Sequence, residues 1–219
     1  MHVVLIHGMG RTQVSMALLA RRLRAAGHDV ESFGYFVTRD ALDVIAHRFA
    51  GVVREHAKGE PFAIVGHSLG NVITRLAMPE LEGLARFVML APPNQPPVMA
   101  RALEGNPVFK ILTRDAGRKL LDLAFYESLP LPTAPTLVIA GNRGPKARWL
   151  PFRGEPSDGV VRVEETRLAG IPHIEVPAVH TFIMNDADVA KLVLRFLEAG
   201  TLGPEAGEIS RVETPDPPR

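Results

Sequence analysis

The chain has 219 residues, 46% of them hydrophobic, with 25 lysines and arginines against 24 aspartates and glutamates. This is the size and composition of one globular domain with a sizeable core. A net charge of +1 gives no electrostatic basis for binding nucleic acid. The absence of cysteine excludes disulfides, thiolate metal sites and a cysteine nucleophile.

The amino terminus has no features of a secretory signal peptide. Met1 leads directly into the apolar run at 3–6, with no charged segment before it and no long apolar region after it. No stretch approaches the roughly 18 apolar residues of a membrane span. The sequence therefore predicts a cytoplasmic protein without a transmembrane segment.

The first half of the chain alternates apolar runs with amphipathic stripes. Four strands and three helices are predicted: strands at 2–6, 29–33, 62–65 and 87–90, and helices at 11–26, 40–56 and 71–78. Gly27 is expected to end the first helix as a left-handed cap, and Asp40 to cap the start of the second.

Residues 95–133 interrupt this alternation with short helical pieces, predicted at 98–103, 108–112 and 117–126, among prolines and glycines. The segment is a candidate cap within a domain spanning 1–200, although ordinary helices covering the sheet explain it equally well. The alternation then resumes with strands at 135–140 and at 174–176, the latter extending as far as 179 in one interpretation. Asp186 is expected to cap a final helix that Gly200 ends. The tail at 201–219 has four prolines and no apolar periodicity, which predicts a flexible segment.

Strands that alternate with helices, each strand a nearly continuous apolar run, predict an α/β fold of three layers. We expect about six mainly parallel strands covered by helices on both faces. Binding residues of such a sheet lie at the carboxyl ends of its strands. Five polar or glycine-rich segments fall there: His7–Gly10, Ser68, Pro92–Asn94, Gly141–Asn142 and His180.

The segment Gly66-His67-Ser68-Leu69-Gly70 lies between a predicted strand and a predicted helix. Gly-x-Ser-x-Gly in this position is the nucleophile-elbow pattern, in which a sharp turn holds the serine hydroxyl clear of the sheet. Side chains at the flanking positions would collide with the turn, so glycine is needed on both sides. The pattern predicts Ser68 as a nucleophile, with His67 pointing elsewhere.

A serine hydroxyl needs a neighbouring base, and the base needs an orienting carboxylate. After an elbow of this kind the order along the chain is serine, acid, histidine. His180, between the last strand and the last helix, is the predicted base; His173 begins that strand, at the opposite edge of the sheet from Ser68. Asp158, in a loop beside a glycine, is the preferred acid, with Glu155 as the alternative.

An acyl-transfer intermediate carries an oxyanion that must meet preorganised N–H donors. The backbone amides of Leu69, directly after the serine, and Met9, in the glycine-flanked loop after the first strand, are the predicted donors. His7 is then a structural polar group and not a base. The sequence has no histidine–carboxylate pattern at metal-ligand spacing, so neither a metal nor a cofactor is predicted.

Four segments, VVLIHGMG at 3–10, IVGHSLGNV at 64–72, SDGVV at 157–161 and AVHTFIMN at 178–185, resemble the α/β-hydrolase family. The similarity is greatest to small bacterial lipases and esterases with a minimal core. It implies that the chain begins at what is the third strand in larger members. It also implies a serine hydrolase that cleaves carboxylic esters through an acyl-enzyme. An acyltransferase or thioesterase with the same triad, or a non-catalytic ligand-binding protein of this fold, remains open.

The expected substrate is a small-molecule or lipid-like ester. An apolar acyl pocket would be lined by hydrophobic residues of the 95–133 segment, helped by Phe182 and Met184 beside His180. Asn94, at the end of the fourth strand, is a further candidate for substrate binding.

Overall fold

Six parallel strands form one sheet in the order β2-β1-β3-β4-β5-β6 in the computed structural model, which describes residues 1–202. The strands are β1 (His2–Ile6), β2 (Asp29–Phe33), β3 (Phe62–His67), β4 (Leu84–Leu90), β5 (Thr136–Gly141) and β6 (His173–Val176). The order reverses between β1 and β3, so a crevice opens beside the carboxyl end of β3.

Within residues 1–202, seven α-helices accompany the strands: α1 (Ala17–Ala25), α2 (Leu42–Ala57), α3 (Leu69–Ala77), α4 (Val98–Leu103), α5 (Pro107–Leu121), α6 (Leu123–Ser128) and α7 (Ala187–Ala199). Short 3₁₀ segments cover Gln13–Met16, Met78–Glu80, Glu164–Thr166 and His180–Asn185. None of the helices in residues 1–202 has the length and apolar character needed to cross a membrane.

Side chains of β1 show how the sheet separates two apolar layers. Val3 and Leu5 pack with α1 and α7, whereas Val4 and Ile6 pack with α2 and α3. This alternation follows from the two-residue repeat of a strand, and all four residues are apolar because both faces are covered. The predicted three-layer α/β fold is confirmed.

Helix α2 begins two residues later than predicted, and Asp40 does not cap it. Its N-cap position is Ala41, and the first amide, that of Leu42, donates instead to a carboxylate oxygen of Asp115 at 3.1 Å. Asp40 pairs with Arg48 at 2.6 Å. The prediction for Asp40 was wrong because the competing acceptor comes from α5, more than 70 residues away in sequence.

The segment at 95–133 divides into two parts at a kink in α5, where Arg114 takes φ 45° and ψ −120°. Beyond the kink, Leu120 and Tyr126 are buried in the apolar layer of α2 and α3. Before it, Ile111 and Leu112 are 67% and 56% exposed. The carboxyl-terminal part therefore covers the sheet, and the part of α5 before the kink projects from it.

At the carboxyl end, two predicted caps are confirmed. The carboxylate of Asp186 accepts the amides of Asp188 and Val189 at the start of α7, and Gly200 ends that helix at φ 71°. Of the tail predicted to be flexible, 201–219, the part from residue 203 onward lies outside the described residues, and its flexibility stays a prediction.

Candidate active site

Ser68 stands alone between the end of β3 and the start of α3, with φ 51° and ψ −122°. A positive φ at a residue other than glycine costs about 1–3 kcal/mol and persists only where the surroundings enforce it. Here they do: a Cβ at Gly70 would lie 2.7 Å from the carbonyl oxygens of Ile6 and His7, and one at Gly66 would collide with the Asn71 side chain. Glycine on both sides lets α3 pack directly against the end of β1.

The Ser68 hydroxyl is hydrogen-bonded to a histidine that lies 112 residues later in the sequence. Its Oγ lies 3.0 Å from Nε2 of His180, which begins the 3₁₀ turn after β6. The other ring nitrogen, Nδ1, lies 2.6 Å from Oδ2 of Asp158. The structure thus brings the three predicted residues into one hydrogen-bonded chain at the carboxyl edge of the sheet.

Asp158 is fixed by its own loop. Its second oxygen, Oδ1, accepts the amides of Val160 and Val161 at 2.9 and 2.8 Å, and its carbonyl accepts the amide of His180 at 2.9 Å. The carboxylate is buried, so these bonds replace water around its charge. Glu155, the alternative acid, points away and pairs with Arg162 at 2.7 Å.

His67 contacts His180, the middle residue of this hydrogen-bonded chain. This contact was not predicted from the sequence. Its Nε2–H donates to the carbonyl of His180 at 3.0 Å, and the two rings lie 4.8 Å apart. Burial, reinforced by the neighbouring His180, holds the pKa of His67 well below its usual value, so the ring is neutral. No local pattern marks this contact, because the two histidines are 113 residues apart.

The loop after β1 lies against the serine turn. A Cβ at Gly8 would lie 2.8 Å from Nδ1 of His67 and 2.9 Å from Cβ of Ser68, so the backbone leading into Met9 runs beside the nucleophile. Leu69 contributes the first amide of α3, and first-turn amides of a helix have no intrahelical acceptor.

His7 has both ring nitrogens in backbone hydrogen bonds. Nδ1–H donates to the carbonyl of Gly8 at 2.8 Å, and Nε2 accepts the amide of Tyr35 at 3.2 Å. The ring also stacks on Tyr35 at 4.4 Å, and burial lowers its pKa. This arrangement holds the loop in place and leaves no nitrogen available to act as a base.

An apolar cavity of about 390 Å³ opens beside Met9. Its walls come from the loop after β1, the segment after β2 and the projecting part of α5, and they include Tyr35, Phe36, Phe109 and Leu112. The cavity is mostly hydrophobic because aromatic and aliphatic side chains line it. Of these walls, only the one from α5 was predicted from the sequence.

Two of the predicted substrate-binding residues, Met184 and Asn94, have buried side chains and do not line this cavity. Met184 is fully buried in the layer of α1 and α7, since the 3₁₀ turn after His180 directs it into the core. Asn94 is buried with its side chain bonded to Arg75 and to the carbonyl of Thr166. Phe182 is 60% exposed and lines a surface cavity with Arg143.

Comparison with known proteins agrees with this architecture. A profile of the alpha/beta hydrolase family matches residues 3–215. A search of curated protein sequences finds no significant match.

Among solved structures, a phospholipase, PlaB from Legionella pneumophila, superposes with a TM-score of 0.73 at 18% identity, covering 95% of this chain and 63% of that one. This chain thus spans less than two thirds of the phospholipase. The mature lipase BlEst2 from Bacillus licheniformis superposes with a TM-score of 0.72 at 17% identity, covering 91% of each chain.

A third structure, the NocB thioesterase domain bound covalently to a fluorophosphonate, gives a TM-score of 0.59 at 16% identity, covering 90% of this chain and 94% of that one. At these identities the structural similarities establish the fold alone. The family profile spans nearly the whole sequence, and on that basis the protein belongs to the alpha/beta hydrolase family.

Proposed function

We propose that this protein is a serine hydrolase that cleaves carboxylic esters. The observation that carries the proposal is the continuous hydrogen-bonded chain from Ser68 through His180 to Asp158, with the serine held in a strained conformation at a strand-to-helix turn. A serine paired with a base, and a base paired with a buried carboxylate, is the arrangement that nucleophilic acyl transfer needs.

In the acylation step, Oγ of Ser68 attacks the ester carbonyl carbon while Nε2 of His180 takes the hydroxyl proton. Asp158 accepts the hydrogen bond from Nδ1 and stabilises the imidazolium that forms. The tetrahedral intermediate then collapses: the bond to the leaving alkoxide breaks, and His180 returns the proton to it. The products of this step are an acyl-enzyme and an alcohol.

In the deacylation step, water attacks the acyl-enzyme and the same groups transfer the protons. His180 removes a proton from the water as its oxygen attacks the acyl carbon, and the proton then passes to Oγ of Ser68 as the carboxylic acid leaves. In both steps the backbone amides of Met9 and Leu69 would donate to the oxyanion. Support for this role comes from the loop of Gly8, which runs directly against Ser68, and from the position of Leu69 at the positive end of α3.

The cavity beside Met9 supports an apolar acyl or alkyl group as part of the substrate. A volume of about 390 Å³ with apolar walls that include Phe36, Phe109 and Leu112 favours a medium-length acyl chain. The fold similarity to a phospholipase and to a lipase is consistent with a lipid-like ester.

The proposal is tested by the rate of p-nitrophenyl ester hydrolysis by wild-type protein and by Ser68→Ala. We expect the variant to lose about 10⁴- to 10⁶-fold in kcat with an unchanged circular dichroism spectrum, because the nucleophile is removed and no core contact is lost. Ser15→Ala, at a partly buried serine on the first 3₁₀ turn whose hydroxyl donates only to the carbonyl of Thr12, is the matched control and should keep full activity. Equal rates in wild type and Ser68→Ala would contradict the proposal.

A further inference from the structure

Three side chains converge at the amino ends of the strands, on the opposite edge of the sheet from Ser68. His2 begins β1, Asp29 begins β2, and His56 lies in the last turn of α2. Nδ1 of His2 lies 3.0 Å from Oδ2 of Asp29, and Nε2 of His56 lies 3.8 Å from the same oxygen and 3.3 Å from the carbonyl oxygen of Asp29. Parallel pairing of β1 with β2 sets His2 opposite Asp29, and α2 brings His56 to them.

The possible donor atoms of these three residues lie close to one another. One atom from each residue lies within 4.8 Å of the other two. A zinc ion bonded to imidazole and carboxylate at about 2.0–2.2 Å holds its ligand atoms roughly 3–3.5 Å apart. The two histidine rings meet edge to face, 5.2 Å between centroids, so small side-chain rotations would bring both nitrogens onto one ion.

Burial and charge also favour a cation at this place. The side chains of His2 and His56 are only 26% and 14% exposed, whereas that of Asp29 is 65% exposed and leaves access for water. His56 lies at the carboxyl end of α2, where the helix dipole favours positive charge. Two imidazoles and one carboxylate suit zinc and similar divalent ions, whereas calcium and magnesium prefer oxygen ligands.

We propose that His2, Asp29 and His56 bind one zinc-like divalent ion, with water completing the coordination. The ion would tie the edge strand β2 to β1 and to the end of α2, and so would stabilise the fold. The site is distinct from the proposed active site and does not depend on it. No sequence pattern indicates this site, because 27 residues separate Asp29 from each histidine.

The same helix supplies a matched control. His47 of α2 lies 2.9 Å from a carboxylate oxygen of Glu80, as in an ordinary histidine–carboxylate pair with only one histidine. If the proposal holds, His56→Gln should bind the metal at least about tenfold more weakly than wild type, and His47→Gln should bind it as wild type does.

The test uses the full chain without a polyhistidine tag, stripped of metal by a chelator and titrated at neutral pH. Co²⁺ binding is followed by visible absorption and Zn²⁺ binding by calorimetry. We expect one equivalent bound, tetrahedral Co²⁺ bands that Zn²⁺ displaces, and an affinity at least about tenfold weaker in His56→Gln and Asp29→Asn. Zinc should also raise the thermal midpoint of wild type and of His47→Gln but not of His56→Gln.

Two results would overturn the proposal: binding of much less than one equivalent, or equal affinity in His56→Gln and His47→Gln. Either would leave the cluster as a pair of histidine–carboxylate contacts. Should His56→Gln fail to fold, His2→Gln removes a different ligand from the start of β1 and decides the matter in the same titration.

Discussion

The residues around Ser68 are of two kinds: those in the hydrogen-bonded chain and one that supports it. Ser68, His180 and Asp158 make the hydrogen-bonded chain, and His67 lies beneath His180 and bonds to its backbone carbonyl. A protonated His67 would place a second positive charge beside the imidazolium of His180 during the reaction. Burial that keeps His67 neutral therefore serves both the fold and the proposed chemistry.

The lowered pKa of His67 predicts how stability depends on pH. In the unfolded chain this histidine takes a proton below about pH 6.5, whereas in the folded protein it resists protonation, so the unfolded state binds more protons. Stability contributed by the neutral ring is therefore complete above pH 6.5 and is lost as the pH falls below that value. The loss approaches about 1.4 kcal/mol per pH unit for a fully buried group.

His67→Gln isolates this effect, because glutamine has no proton to gain and its amide can still donate to the carbonyl of His180. We expect the free energy of unfolding by urea, measured between pH 5 and pH 7, to fall less steeply in the variant. The folded variant should keep a normal circular dichroism spectrum. An identical slope in both proteins would show that His67 is protonated freely in the folded state.

At the scale of elements, the two halves of α5 have different surroundings. Its carboxyl-terminal half packs into the core through Leu120, while its amino-terminal half presents Phe109 and Leu112 to the cavity beside Met9. The kink at Arg114 separates the two halves. This division predicts that substitutions before the kink change substrate preference with little effect on stability.

Leu112→Arg tests that division. A charged side chain in the cavity wall should lower kcat/KM for an octanoyl ester by about tenfold or more, because the acyl chain would meet a charge that cannot be desolvated cheaply, and should leave an acetyl ester nearly unaffected. Leu123→Arg is the matched control, since Leu123 is similarly exposed at 54% against 56% and does not line this cavity. Equal losses for both esters would contradict the assignment of the cavity.

Helix α3 is joined to the end of the 95–133 segment by a buried cation. The guanidinium of Arg75 donates to the carbonyls of Leu129 and Pro130 at 2.9 and 3.0 Å and to Oδ1 of Asn94 at 3.3 Å. Burial lowers its pKa to about 10, which leaves it charged at neutral pH. The arginine thus satisfies three acceptors that connect the covering helices to the elbow helix.

Arg75→Ala should destabilise the protein by about 3 kcal/mol, because buried acceptors left without a donor each cost about 1–3 kcal/mol and a cavity is added. The free energy of unfolding in urea measures it. Arg54→Ala, at an exposed arginine of α2 that lies 3.9 Å from Glu80, should change stability by no more than about 0.5 kcal/mol. A neutral Arg75→Ala would mean that water replaces the guanidinium at these carbonyls.

For the whole molecule, the features predicted correctly from sequence are those that local patterns encode. Apolar runs predicted all six strands, and glycine spacing with chain order named the three residues that the structure brings together. The features that were predicted wrongly or missed depend on contacts between segments that are distant in sequence. Asp115 takes the place of Asp40 at the start of α2, and His67 meets His180, through contacts that join distant segments. Met184 lies in the core because it belongs to the 3₁₀ segment His180–Asn185, which directs its side chain inward.

The measurement that tests the central claim most directly is covalent labelling with a fluorophosphonate probe, located by mass spectrometry. An activated serine reacts with the probe, whereas an ordinary surface hydroxyl does not, because only a neighbouring base raises its nucleophilicity. We predict a single label on Ser68, absent from Ser68→Ala and strongly reduced in His180→Ala. Folded wild-type protein that takes no label at Ser68 would contradict the account and would favour a non-catalytic ligand-binding protein of this fold.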